Sequence, residues 1–241
     1  MGKLKTILKK AKRNAKMIFY VGNGVECPCC GKKFKKFIDI SATRKNAICP
    51  NCDSYERHRL LWLFLKNKTT VFSKPQKMLH IAPEPMFQKK FKTMKHLDYI
   101  SADLDSPLAM VKMDITDIKY PNNTFDMIIC NHVLEHIVDE QKALSEIKRV
   151  LKPNGQAILQ VPVHSDYLQT YEDNSIISEE GRLKAFGQKD HVRIYGLDYA
   201  DRFKKSDMDI KIIKYCNEFN EADIAKYGLR RDEEIPIATK I

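Results

Sequence analysis

Four cysteines in two matched pairs are the residues of this chain best placed to do chemistry. Cys27-Pro28-Cys29-Cys30 and Cys49-Pro50-Asn51-Cys52 are two C-P-x-C knuckles, with 18 residues between Cys30 and Cys49. Two such turns offer four thiolates to one tetrahedral ion, and the separation is that of a structural zinc site. A closed thiolate shell has no open position, so Cys27, Cys30, Cys49 and Cys52 predict a zinc staple, with Cys29 a bystander. Acids and imidazoles at the ends of apolar runs make a second group. Leu97 to Leu104 runs into Asp103, roughly 20 residues beyond the apolar run Lys77 to Ala82, where a carboxylate either accepts both ribose hydroxyls of an adenosine-containing ligand or caps a helix. Phe125 to Cys130 ends in Asn131-His132, with His136 close behind. A third group, including His164, Tyr167, Tyr171, Glu172, Asp173 and His191, lies in the polar stretch 164–193, whose length fits a lid or binding loop.

Periodicity says which elements must hold these groups. Phe125 to Cys130 reads as a central parallel strand buried on both faces. Ala143, Leu144, Ile147, Val150 and Leu151 form the stripe of a helix lying on a sheet, Pro153-Asn154-Gly155 turns the chain, and Gln156 to Val161 is the next strand. That is a βαβ unit. Lys77 to Ala82, Leu97 to Leu104 and Ile210 to Tyr215 are further strands, and Glu234 to Ala238 is an antiparallel edge strand. Ser54 to Lys66 predicts a helix that packs the zinc module against the larger domain; Arg57, His58 and Arg59 at its start are either anion ligands or structural. The expected fold is α/β, a doubly wound Rossmann-like sheet, mostly parallel with one antiparallel edge strand, plus a small N-terminal zinc ribbon. The expected boundaries are a basic helix over 1–24, the ribbon with its helix over 25–70, and the α/β domain over 71–241 with the insertion 164–193.

Phe125-Asp126, Val133-Leu134-Glu135-His136 and Arg149-Val150-Leu151-Lys152-Pro153-x-Gly155 resemble class I S-adenosylmethionine-dependent methyltransferases, over about Lys77 to Val161. Within them the chain is similar to a bacterial subgroup with a His-Ile-Ala-Pro-Glu-Pro loop behind a Cys-rich N-terminus. The resemblance implies S-adenosylmethionine as cofactor. It places His80, Ala82, Glu84 and Asn131 around the methionine portion, Asp103 on the ribose, and Asp114 and Ile115 on the adenine. It implies direct displacement at the methyl carbon, to oxygen or nitrogen of a small-molecule or glycan-like acceptor, with His132 as candidate general base. The family's loop is acidic-x-Gly-x-Gly-x-Gly; here His80 replaces the acid, and Ala82, Glu84 and Met86 replace the glycines. Pro83 and Pro85 remove two amide donors.

The net charge of +11 is concentrated at one end. Residues 1–70 hold 17 Lys/Arg against 4 Asp/Glu, whereas the remainder is nearly neutral. A basic amphipathic N-terminus and the Lys32–Phe37 alternation of charge and aromatics are candidate contacts for RNA or for an anionic membrane surface. The longest apolar run, Leu60 to Leu65, is far short of a transmembrane span, and no secretory signal is evident; the expectation is a cytoplasmic protein, with peripheral membrane attachment as the variant reading. RNA methylation, and a catalytically silent binding module on the same fold, are the alternative functions.

Overall fold

The computed structural model describes residues 17–241, so most of the basic helix expected over 1–24 lies outside the described residues. The chain forms two compact units. One takes the residues up to Ser73 with Pro85–Lys90 and Lys214–Glu233; the other takes Lys74–Glu84, Phe91–Ile213 and Glu234–Ile241. The division therefore differs from a single cut near residue 70.

The first unit owes its composition to one arginine and one phenylalanine. Strands β1 (Val25–Glu26) and β2 (Lys33–Phe34) pair antiparallel across the first knuckle, and helix α1 (Glu56–Lys68) follows the second. Arg59 of α1 is wholly buried. Its guanidinium donates to the carbonyls of Ala47, Ser54 and Asn46, and to those of Tyr227 and Gly228, distant in sequence. It also lies 4.0 Å over the Phe37 ring. Every donor of a buried guanidinium needs an acceptor, and these five carbonyls supply them. Arg59 is thus structural. Helix α2 (Pro85–Phe91) contributes Phe87, which stacks on Trp62 at 5.9 Å and meets the His58 ring edge-on. Gly228 ends a helix (Glu221–Tyr227) at φ 57°, and a Cβ there would stand 2.8 Å from the Phe37 ring.

The second unit is a seven-stranded sheet. In chain order its strands are β3 (Gln76–Ile81), β4 (Leu97–Asp103), β5 (Val111–Lys112), β6 (Phe125–Cys130), β7 (Leu151–Ile158), β10 (Asp209–Ile213) and β11 (Ile235–Thr239). The spatial order is β10-β11-β7-β6-β3-β4-β5, with β11 antiparallel to both its neighbours. The single antiparallel strand thus sits one place in from the edge, because β10 covers it. Helix α3 (Glu140–Val150) is capped by Asp139, which accepts from the Lys142 amide, and buries Ala143, Leu144, Ile147 and Val150 completely. Pro153-Asn154-Gly155 does not separate helix from strand. β7 begins at Leu151, directly after the helix, and these residues form an irregularity inside it that shifts its register against β6. A side chain at Gly155 would meet the Lys152 carbonyl at 2.8 Å and the Phe125 carbonyl at 3.1 Å. Asp126 accepts from the Lys77 amide and pairs with Lys152, while Arg149 holds the Ile118 and Tyr120 carbonyls. The motif residues here are bolts of the scaffold.

The insertion is ordered into the same unit. Short strands β8 (Tyr171–Glu172) and β9 (Arg193–Ile194) pair antiparallel, with helix α4 (Glu179–Phe186) between them. Arg193 is buried and donates to Glu172 and to the carbonyls of Leu134, Ile137 and Val138. Burial works against ionisation of Glu172, but the guanidiniums of Arg193 and Arg202 hold its carboxyl below the usual range.

Candidate functional site

At the C-terminal ends of the parallel strands, where the order reverses about β3, a cleft of about 460 Å³ opens. β3 delivers Ile81 and Ala82, β4 delivers Asp103, the segment after β5 delivers Met113, Asp114 and Ile115, and the turn after β6 delivers His132, Val133 and His136. Of the residues singled out from sequence, Ala82, Asp103, Asp114, Ile115 and His132 line one cavity. They come from four separate strand ends. Asp190, which the sequence reading passed over, joins them.

The acids are held by half of each carboxylate. Asp103 Oδ1 accepts from the amides of Asp105 (2.9 Å) and Ser106 (2.7 Å). Asp114 Oδ1 accepts from the amide and hydroxyl of Thr116, both at 2.8 Å. In each case one oxygen fixes the side chain and Oδ2 remains for a ligand. Ile115 is buried and supplies an apolar wall. Ala82 has φ 46° and His132 has φ 52°, so both turns that leave the central strands pass through the left-handed region without glycine. At Ala82 the backbone keeps the conformation that a glycine adopts freely.

His80, Glu84 and Asn131 do not line the cleft. They form a network beside it. His80 is wholly buried, with Nδ1 3.0 Å from the Tyr99 hydroxyl and Nε2 2.6 Å from Glu84 Oε2. Burial, and then the Glu84 charge, push the Tyr99 hydroxyl's pKa well up. Asn131 Nδ2 donates to Glu84 Oε1 at 3.1 Å, while Asn131 Oδ1 is buried and makes no hydrogen bond among the described residues. A buried amide oxygen without a donor costs about 1–3 kcal/mol, so it marks a place where a ligand donor fits. Glu84 thus presents a carboxylate at this strand end, tied to both His80 and Asn131.

In the other unit, the four predicted ligands Cys27, Cys30, Cys49 and Cys52 bring their sulfurs within 4.8 Å of one another. Cys27 and Cys52 Sγ stand 3.6 Å apart and Cys30 and Cys49 3.8 Å, well beyond a disulfide bond. A tetrahedron with metal–sulfur bonds of roughly 2.3 Å has edges of about 3.8 Å, so the cluster fits zinc. Cys29 points its buried thiol at the His58 carbonyl, 3.6 Å away, and takes no part. Of the insertion residues singled out from sequence, Glu172 serves the arginine latch, and His191 stands beside a cleft residue, its ring 4.7 Å from that of His136. Burial, then His136, push the His191 imidazole's pKa down.

A family model described as "Methyltransferase domain" matches residues 76–159. That segment carries the pattern of a methyltransferase domain, on a sheet of the Rossmann-like methyltransferase fold. Over 76 residues the chain is 38% identical to an uncharacterised protein of Methanocaldococcus jannaschii, covering 30% of this chain and 33% of that protein. Over 84 residues it is 31% identical to ajmaline N-methyltransferase of Rauvolfia serpentina, covering 35% of this chain and 28% of that protein. The chain thus spans about a third or less of the curated relatives it matches. The crystal structure of Burkholderia thailandensis 1,6-didemethyltoxoflavin-N1-methyltransferase, with bound 1,6-didemethyltoxoflavin and S-adenosylhomocysteine, superposes with a TM-score of 0.51 at 13% identity, over 77% of this chain and 78% of that chain. The matched segment carries the βαβ bolts and every cleft residue but Asp190; the cysteine cluster and the insertion lie outside it. No helix among the described residues is long and apolar enough to cross a membrane.

Proposed function

We propose that this chain transfers the methyl group of S-adenosylmethionine to oxygen or nitrogen of a small-molecule or glycan-like acceptor. The observation that carries the proposal is the convergence of Ala82, Asp103, Asp114, Ile115 and His132 on one cleft at the switch point of the sheet. In it Asp103 Oδ2 accepts from the ribose, Asp114 Oδ2 accepts from the adenine amino group, and Ile115 packs on the ring. Beside the cleft, the network of Asn131, Glu84 and His80 supports the end that takes the cofactor's methionine portion. The cofactor supplies an electrophilic methyl on a sulfonium. The chain's own residues position it and keep its charged end paired, and most of the acceleration comes from that alignment. His132 lines the cleft and takes the acceptor's proton as general base. The insertion 164–193 closes one wall through Asp190 and selects the acceptor. The cysteine cluster holds zinc as a staple.

The pocket bears on the reading of the fold as a silent module: two acids oriented by their own turns, plus an orphaned buried oxygen, are what a bound cofactor needs and a scaffold does not. The test is calorimetric titration of the zinc-loaded chain with S-adenosylmethionine and S-adenosylhomocysteine, followed by labelled-methyl transfer to panels of amines, hydroxylated metabolites, glycans and RNA. Micromolar binding with transfer to a small acceptor supports the proposal. Transfer to RNA alone moves the function to the basic N-terminal residues, and no binding at millimolar ligand refutes cofactor use.

A further inference from the structure

Three groups of the kind that bind first-row metal ions meet where the turn Leu134–His136 faces residues 190–193. One carboxylate oxygen of Glu135 and one ring nitrogen each of His136 and His191 lie within 4.8 Å of one another. Glu135 is 1% exposed. Its Oε1 is 3.3 Å from His132 Nδ1, and its Oε2 is buried with no hydrogen-bond partner. Among the described residues Glu135 pairs with no lysine or arginine, so imidazoles are its only basic partners. A carboxylate in that position is expensive unless a cation stands opposite it.

The surroundings are built to hold these groups still. The Asp190 main-chain oxygen is 3.2 Å from His136 Nδ1, the sort of outer contact that fixes the tautomer of a ligating histidine. The Val192 amide donates to the Glu135 carbonyl at 2.9 Å. Arg193 clamps the carbonyls on both sides of the pair, at Leu134, Ile137 and Val138. His136 and His132 also line the cleft, so a ligand of this cluster reaches the cavity.

We propose that Glu135, His136 and His191 bind one divalent first-row transition ion, of the zinc or iron(II) class, whose open positions face the cleft and take the acceptor's oxygen or nitrogen. Two imidazoles and one carboxylate suit such ions, and three protein ligands leave room for a water or a substrate. The acceptor class narrows accordingly to molecules that ligate a metal through the atom to be methylated or its neighbour. The role beside the methyl donor rests on the reading of the cleft given above; ion binding does not. Coordination favours loss of the acceptor's proton to His132 and on to solvent. The freed lone pair then bonds to the methyl carbon as the carbon–sulfur bond breaks, its electron pair staying on sulfur to leave S-adenosylhomocysteine. No oxidant or reductant is needed.

The experiment is titration of the full chain, its cysteine site already filled with zinc, with cobalt(II) followed by absorbance. Cobalt bound by nitrogen and oxygen gives weak ligand-field bands without the intense thiolate band of a cysteine site. One further cobalt per chain with only weak bands is expected, and Glu135→Gln and His191→Gln, checked for folding by circular dichroism, should weaken it by at least about tenfold. No cobalt uptake by the wild type, uptake only by zinc displacement with a thiolate band, or unchanged affinity in both folded variants would overturn the site. S-adenosylhomocysteine titration of the same samples separates the two readings. Cobalt binding without cofactor binding strikes the cleft assignment alone, and cofactor binding without cobalt strikes the metal site alone.

Discussion

Asp103→Asn separates the two jobs that the Asp103 carboxylate can do. Oδ1 accepts from the Asp105 and Ser106 amides and so caps the turn, which an asparagine carbonyl oxygen also does. Oδ2 is the oxygen left for the ribose, and the substitution replaces it with an NH2 that cannot accept. Losing a hydrogen bond to a charged acceptor costs about 1.5–3 kcal/mol, which is roughly ten- to hundredfold in Kd. Asp103→Asn should therefore weaken S-adenosylhomocysteine by that factor while its melting temperature stays near the wild type. Asp103→Ala removes both turn bonds as well, and should lower unfolding free energy by about a further 1–2 kcal/mol. Isothermal titration and urea melts on the three proteins read both quantities. Asp103→Asn binding within twofold of wild type would show that the carboxylate only caps its turn, and the ribose assignment would fail.

Ala82→Gly should stabilise the fold by about 0.5–1 kcal/mol in urea melts, the left-handed penalty of roughly 1–2 kcal/mol less the extra chain entropy of glycine. Arg193→Leu takes the guanidinium from the carbonyls of Leu134, Ile137 and Val138 and from Glu172, and should cost about 3 kcal/mol; limited proteolysis should then cut within 164–190. Glu172 has a folded pKa held below its ordinary value, so its contribution is complete at neutral pH, above the unfolded value, and fades as pH falls through the folded one. The same proteolysis assay should accordingly show the insertion loosening below about pH 4.5 in the wild type but not in Glu172→Gln, which lacks the titrating group. Chelation of zinc should unfold the cysteine unit, seen as an early transition in a melt that spares the later one, because zinc affinity in such a site is folding free energy.

The sequence by itself determined the elements whose signals are local. Apolar runs, the 143–150 stripe and two tight cysteine knuckles are set within a dozen residues, and the structure has each of them at the expected place. The spacing from Lys77 to Asp103, with the resemblance over 77–161, was enough to pick residues that end at a common strand edge. Its errors came where a local signal met a long-range one. Pro153-Asn154-Gly155 reads as a turn, but β6 captures the chain from Leu151 onward and absorbs those residues as a bulge. Arg59 reads as either an anion ligand or structural, and the carbonyls of Tyr227 and Gly228, arriving from far along the chain, make it structural. Only tertiary structure could show that Glu84 is held by both His80 and Asn131, since a histidine and a glutamate four residues apart carry no such message by themselves. Nothing in the order of residues joins Glu135 and His136 to His191 either. That cluster exists because Arg193, buried among carbonyls that only the folded chain assembles, draws the insertion onto the turn after β6. Short-range periodicity is written in neighbouring side chains, whereas convergence of distant groups is decided by which buried polar atoms must satisfy one another.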